Sequence, residues 1–324
     1  MLRLLLASLA ALLISGCATN LSAVSTFGNS TEALATQSGE MLQHYAAFCD
    51  EVVGHVEQEN RILQLTRLYW AAQPASTAKT DALRTLDEAD EAFSPHADTA
   101  AGRQQCEQDR VRLARAQVFA QALQHYASAL GAVASDQFVT YNARFDDLGN
   151  HLRGTPLLAG ETPAQINAQV EAVQGLTRLV YDMAVRHYRQ TQLASALGDE
   201  QEQRIALLLG QLQAITQSYQ QSLTTAALQT RITASFNRRL LHLGTLPEPL
   251  AVAEQTRALE VRQKDLEQRA AALGKLLAAL EQLPPAFTQA RDAVQHPDRK
   301  DIAKEVLDFG KAVYKLQRQI GDAF

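Results

Sequence analysis

Tryptophan occurs once in the 324 residues, methionine and cysteine three times each, and aromatic residues of all kinds make up only 6% of the chain. A core built from this sequence is therefore aliphatic, and its aliphatic residues are mostly Leu and Ala, with Val and Ile sparse. Strands draw on β-branched and aromatic residues, whereas Leu and Ala favour helix. Alternating apolar and polar stretches bounded by turn signals are missing too, so the expected fold class is all-α. Proline (9) and glycine (16) are scarce and fall mostly where helices would end. Excess positive charge is also lacking: 30 Lys and Arg stand against 35 Asp and Glu, for a net charge of −5. A nucleic-acid partner would require a basic face, and no Lys/Arg cluster suits binding to anionic lipid.

Catalytic signatures are absent as well. The chain has no His-Glu-x-x-His, no Cys-x-x-Cys-His and no Gly-x-Ser-x-Gly, and no glycine-rich phosphate loop. These absences remove the residues that a zinc protease, a c-type haem protein, a serine hydrolase or a nucleotide binder would use. A di-iron bundle would carry Glu-x-x-His on two helices. Here Glu40 and His44, and Glu51 and His55, are instead spaced four apart with no matching second helix, which reads as ordinary polar pairing. Neither a metal, a cofactor nor a catalytic residue is expected.

What the chain does have begins at its N-terminus. Arg3 and the terminal amine precede a charge-free apolar run, Leu4 to Leu13, which ends in Ile14-Ser15-Gly16-Cys17. The run is far too short for a transmembrane helix of about 20 apolar residues and has the form of an export leader. The last four residues resemble the bacterial lipobox, in which an aliphatic, a small and a Gly or Ala residue stand before an invariant cysteine. The resemblance implies cleavage before Cys17, attachment of a diacylglycerol to its thiol and acylation of the new amine. Two or three acyl chains would hold the protein to a membrane stably, since each buried CH₂ contributes about 0.8 kcal/mol. Residue 18 is Ala rather than the Asp that marks inner-membrane retention in such lipoproteins. This implies the outer membrane, facing the periplasm.

From Ala18 to Thr31 the composition of Ser, Thr, Asn and Gly offers little to bury and reads as a flexible tether. Helical periodicity then starts near Glu32 and predicts a helix to Ala72, stopped by Pro74, and another from about Ser76 to Phe93, stopped by Ser94-Pro95. A third runs from about Gly102 to Val133, with a continuation capped by Ser135 reaching Leu152. Thr162-Pro163-Ala164-Gln165 is a capping box with proline at the first helical position, opening a helix to about Leu197. At Gly198 either a second helix begins or a long one bends. The next helix passes through Tyr219 and Phe236, and Gly244 to Pro249 is the best boundary candidate. Beyond it Leu259, Leu266, Leu273 and Leu280 recur every seven residues, with Gln263, Ala270 and Leu277 four positions after the first three. Pro284-Pro285 is expected to close that helix, and a last one starts at Asp298.

The helix lengths bring two cysteines together. The first two predicted helices run out and back, returning the chain to the level of Cys49 shortly before Cys106, so a disulfide is expected in an exported protein. Two buried free thiols are the alternative. Gln43-His44-Tyr45-Ala46 recurs as Gln124-His125-Tyr126-Ala127. The similarity fades on either side, which favours coincidence over duplication. Tyr45, Tyr126, Tyr188 and Phe236 are read as core.

The resulting expectation has four parts: a signal peptide over 1–16, a lipidated tether over 17–31, a main helical bundle over 32–244, and C-terminal helices over 245–324 that pack on or extend it. The bundle is expected to be elongated, with long antiparallel helices and a coiled-coil-like C-terminal part. Its expected role is a non-enzymatic scaffold or protein-interaction module for an envelope partner, without nucleic acid, and anchored through Cys17. A bundle enzyme or small-ligand binder and a purely structural spacer are the alternatives.

Overall fold

The structure, a computed structural model, describes residues 2–93, 99–142, 145, 147–157, 161–185, 189–224, 249–296 and 302–323. Among these residues there are nine helices and no strand. They are α1 (Leu2–Ala72), α2 (Thr77–Phe93), α3 (Thr99–Ala134), α4 (Leu148–Gly154), α5 (Pro163–Val185), α6 (Arg189–Ala196), α7 (Asp199–Thr224), α8 (Pro249–Gln295) and α9 (Ile302–Ala323). The chain is an all-α helical bundle.

Its helices group into two compact units. One comprises Met1–Gln43, Val111–Ser218 and Ala272–Phe324; the other His44–Arg110 and Tyr219–Ala271. The division falls inside α1, α3, α7 and α8. Helix from beyond Pro249 enters both units, so the expected boundary near residue 244 does not divide the packing, and residues 244–248 themselves lie outside the described ones. Periodicity locates helices one at a time and carries no information on which stretch of a long helix packs with which partner.

The expected tether is the largest correction. Helix α1 runs through 18–31, and in its described part Val24, Phe27 and Thr31 are fully buried in the first unit, in line with Leu34, Ser38 and Met41. The spacing of three and four continues without interruption across the point where the apolar residues thin out. Small polar residues can line such a stripe because a helical hydroxyl can bond to its own backbone: Ser38 Oγ donates to the Leu34 carbonyl at 2.9 Å. Small residues also let helices approach closely. A Cβ added to Gly28 would stand 2.7 Å from the Gly131 nitrogen and 2.8 Å from the Ala127 oxygen, both backbone atoms that cannot swing aside. Ser25 meets Ser135, Gly28 meets Gly131 and Gly39 meets Gln117, so numbers rise along α1 as they fall along α3.

This contact makes a paired prediction. Gly28→Val should destabilise the protein by about 1–3 kcal/mol because the helices must part. Gly54→Ala, where a Cβ meets nothing within 4 Å, should instead stabilise it by about 0.5–1 kcal/mol through helix propensity. Urea unfolding of both variants checks the signs; a neutral Gly28→Val would contradict the close approach.

Other expectations meet specific outcomes. Ala72 ends α1, and Ser76 Oγ accepts from the Lys79 amide at 3.2 Å at the start of α2. The capping box at Thr162 is reciprocal: the Gln165 amide donates to Thr162 Oγ1 at 3.3 Å, and the Thr162 amide donates to Gln165 Oε1 at 2.9 Å. Gly198 follows a break, with its amide bonded back to Ser195 and α7 starting at Asp199. The expected continuation after Ser135 is only the seven-residue α4, and the described parts of the helix expected from Thr162 to Leu197 are α5, to Val185, and α6, Arg189–Ala196. Asp136, at φ 60°, turns the chain out of α3.

Pro284-Pro285 does not close α8, which continues to Gln295. Each proline removes a helical hydrogen bond at a cost of about 3 kcal/mol. Burial of Leu283, Ala286 and Phe287 on the same turn opposes that cost. Along α8 Leu266, Leu273 and Leu280 are buried, and Ala270, four positions after Leu266, is buried as expected; the companions of Leu273 and Leu280 are instead Leu276 and Leu283, three positions on, while Leu277 is only half-buried. In α9, Val306, Phe309, Val313, Leu316 and Ile320 form the buried stripe.

Candidate functional site

The sequence singles out Cys17, Cys49 and Cys106. Cys17 belongs to the backbone of α1, and its side chain lies outside the described ones. Ala23 and Val24 are already buried, so packing begins within two turns of it.

Cys49 on α1 and Cys106 on α3 stand together in the second unit, with Cα atoms 5.8 Å apart and sulfurs at bonding distance. That is the expected pairing. Beside it Arg110 pairs with Asp50, which raises the pKa of the guanidinium; the pair is exposed. At the next residue of α1, Glu51 pairs with Arg262, and Asp265 accepts from Arg269 Nε at 3.2 Å. Under this rim Tyr45 stacks on Tyr219 at 4.4 Å, with Phe48 at 5.7 Å from the same ring. Burial pushes the Tyr219 hydroxyl up to about 12, so it does not ionise near neutrality. The three rings of the cluster are buried and packed on one another.

The two Gln-His-Tyr-Ala copies do different things. Tyr45 takes part in that stack; Tyr126, fully buried in the first unit, donates to the Ala196 carbonyl at 2.9 Å. Both serve packing, while Tyr188 and Phe236 lie outside the described residues. His125 packs on Phe145 with ring centres 3.4 Å apart, and Phe145 meets Tyr141 edge-on. Burial lowers the pKa of His125 from 6.5 to about 4. The folded state therefore disfavours its protonation, so its contribution to stability is intact above pH 6.5 and falls away as pH drops towards 4. Urea unfolding between those limits should show a pH slope that shrinks in His125→Phe; an unchanged slope would assign the loss to other groups.

Arg115 is a polar residue that sequence reasoning missed. It is 4% exposed, on the buried face of α3, and it donates to Thr155 Oγ1 at 2.8 Å, to Glu161 at 2.6 Å and to the Pro156 carbonyl. It fastens the connection before α5. The available signal was a charged residue between Leu113 and Phe119 on an otherwise apolar stripe.

Open clefts lie among the described residues. One, of about 560 Å³ between α5 and α7, is lined by Glu171, Arg178, Asp182, Glu200 and Arg204 among others. The Arg204 guanidinium lies across Gly175 and is held by Glu200 and Gln201. Ser195 and Gln174 complete its polar lining, so it offers charges and hydrogen-bonding groups. Another, of about 520 Å³ along α2, includes Lys79. That ammonium donates to the carbonyls of Ala71 and Gln73 at 2.8 and 2.9 Å, satisfying the end of α1.

Among the described residues no three His, Cys, Asp or Glu side chains gather as metal ligands. Glu40 accepts from Gln37 at 3.1 Å and Glu51 is engaged by Arg262; the side chain of His55 lies outside the described ones. No described helix is long and apolar enough to cross a membrane. No protein-family model matches the chain, and no curated protein and no solved structure matches it.

Proposed function

We propose that the protein is a lipid-anchored bacterial envelope protein that acts as a non-enzymatic helical scaffold or interaction module, attached through Cys17 to the outer membrane and facing the periplasm. The observation that carries this reading is Ile14-Ser15-Gly16-Cys17 standing at the head of a helix that becomes core within two turns. Acyl chains on Cys17 would then hold packed protein at the membrane surface rather than the end of a loose stalk. In this reading the bundle is elongated and antiparallel, with a coiled-coil-like part along α8. The opposed numbering of the α1 and α3 contacts and the buried Leu266, Leu273 and Leu280 support it. The working surface is a helix face that binds another envelope protein. The catalytic motifs missing from the sequence and the structural employment of Arg115, Lys79 and Tyr126 favour this over an enzyme.

Cys17→Ser expressed in a Gram-negative host is the test of the anchor. Labelled palmitate should enter the wild type and not the variant, and the variant should move from the membrane pellet to the soluble periplasmic fraction. A wild type without label, or a variant that still sediments, would defeat the anchoring. Photo-crosslinking in intact cells from exposed helix positions addresses the partner: one recurrent adduct is expected, and none from any face would leave the spacer reading in its place.

A further inference from the structure

Phe138 is 92% exposed, the most exposed of the large apolar side chains described. It is carried on an ordered turn rather than a loose one. The Gln137 amide donates to the Ala132 carbonyl at 2.8 Å, Asp136 takes the left-handed conformation, and Ser135 is hydrogen-bonded to Ser25 on α1 at 2.7 Å. All of these residues belong to the first unit.

That last bond fixes the level of the turn relative to the N-terminus. Ser25 is eight residues after Cys17 on α1, or about 12 Å at 1.5 Å per residue. Because α3 runs towards lower numbers of α1, the chain leaves it heading for Cys17. Three further residues can reach up to about 10 Å beyond Ser135. The headgroup layer is about 5–8 Å deep on each side of a bilayer. An aromatic ring on this turn is thus within reach of the layer that would receive the acyl chains, and that layer is where amphipathic surfaces place Phe, Trp and Leu.

We propose that Phe138 is a second membrane contact, inserting into the same leaflet as the acyl chains of Cys17. This rests on the lipid-anchoring reading. Together the two contacts would fix the orientation of the first unit on the bilayer, which a single acylated residue cannot do. The occupant is a lipid surface rather than a second copy, because the anchor brings this turn to lipid in every molecule.

The test uses the full chain, purified in acylated form and reconstituted into phosphatidylethanolamine–phosphatidylglycerol vesicles. Trp70→Phe removes the native tryptophan, and Phe138→Trp then makes residue 138 the reporter; Leu157→Trp in the same background is the control. Leu157 is 53% exposed and lies in the connection held by Arg115, about 30 Å from Ser135 along α3. Residue 138 should shift to the blue and be quenched about twofold by phospholipids doxyl-labelled near the headgroup, with residue 157 unaffected. Acylated Cys17 with an unquenched residue 138 would overturn the proposal and leave the anchor standing. Equal quenching at both sites, or a blue shift already present without vesicles, would overturn it too. Absence of acyl chains on Cys17 by mass spectrometry would remove both readings.

Discussion

Replacing Cys49 and Cys106 together by alanine should lower the stability of the second unit by about 4 kcal/mol. The bridge spans 57 residues, and closing a loop of that length restricts the unfolded chain by this amount in the chain-entropy treatment. Both cysteines are less than 10% exposed, so their removal also costs contacts between α1 and α3. Trp70, the only tryptophan, lies in the same unit, so its fluorescence reads the effect where it occurs. At a urea dependence of about 2–3 kcal/mol per molar the midpoint should move by about 1–2 M. Wild-type protein without denaturant should resist reductant because the sulfurs are covered, and lose the same stability once unfolded and reduced. A double variant with an unshifted midpoint would mean that the bridge contributes nothing in the native fold.

That pairing was legible in the sequence because it depends only on helix lengths and the position of one reversal. Counting 1.5 Å per residue out from Cys49 and back along α2 suffices, whatever the helices pack against. The capping box at Thr162 was legible for a similar reason: its bonds join residues three apart, so local order contains the whole motif. All-α composition and the stop at Ala72 belong with them.

What the sequence concealed depends on partners distant in the chain. The apolar stripe around Arg115 hints at its burial but not at its partners; its role exists only because Thr155, Pro156 and Glu161 come to it. Pro284-Pro285 is a breaker by local rules, and the buried side chains of Leu283 and Phe287 override it. Leu259, Leu266, Leu273 and Leu280 announced a heptad, but whether the companion position falls three or four residues on depends on the facing helices. The division into two units is of the same kind, since it is drawn through four continuous helices. Composition alone misplaced the start of the fold, because Ser, Thr and Gly were read as solvated when in a helix they also form a close-packing face.

Phe27→Ala tests that last point and should be among the most damaging single substitutions in the chain. Phe27 is fully buried, meeting Phe287 of α8 edge-on at 6.0 Å and Phe309 of α9 at 6.2 Å. It therefore joins three helices far apart in sequence, and the cavity left by its removal would be lined by rings too large to close over it. Truncations of this kind cost about 3–5 kcal/mol. A residue in a solvated tether would cost nothing measurable, so the two accounts of residues 18–31 differ by the whole effect. Circular dichroism is the appropriate readout, because Phe27 belongs to the first unit and Trp70 to the second. If helicity in Phe27→Ala melts at lower urea than Trp70 fluorescence changes, the units unfold separately; coincident shifts would make the continuous helices carry the loss across. An unshifted dichroism transition would return the segment to the role of a tether. It would also loosen the packed attachment on which the orientation of Phe138 at the membrane depends.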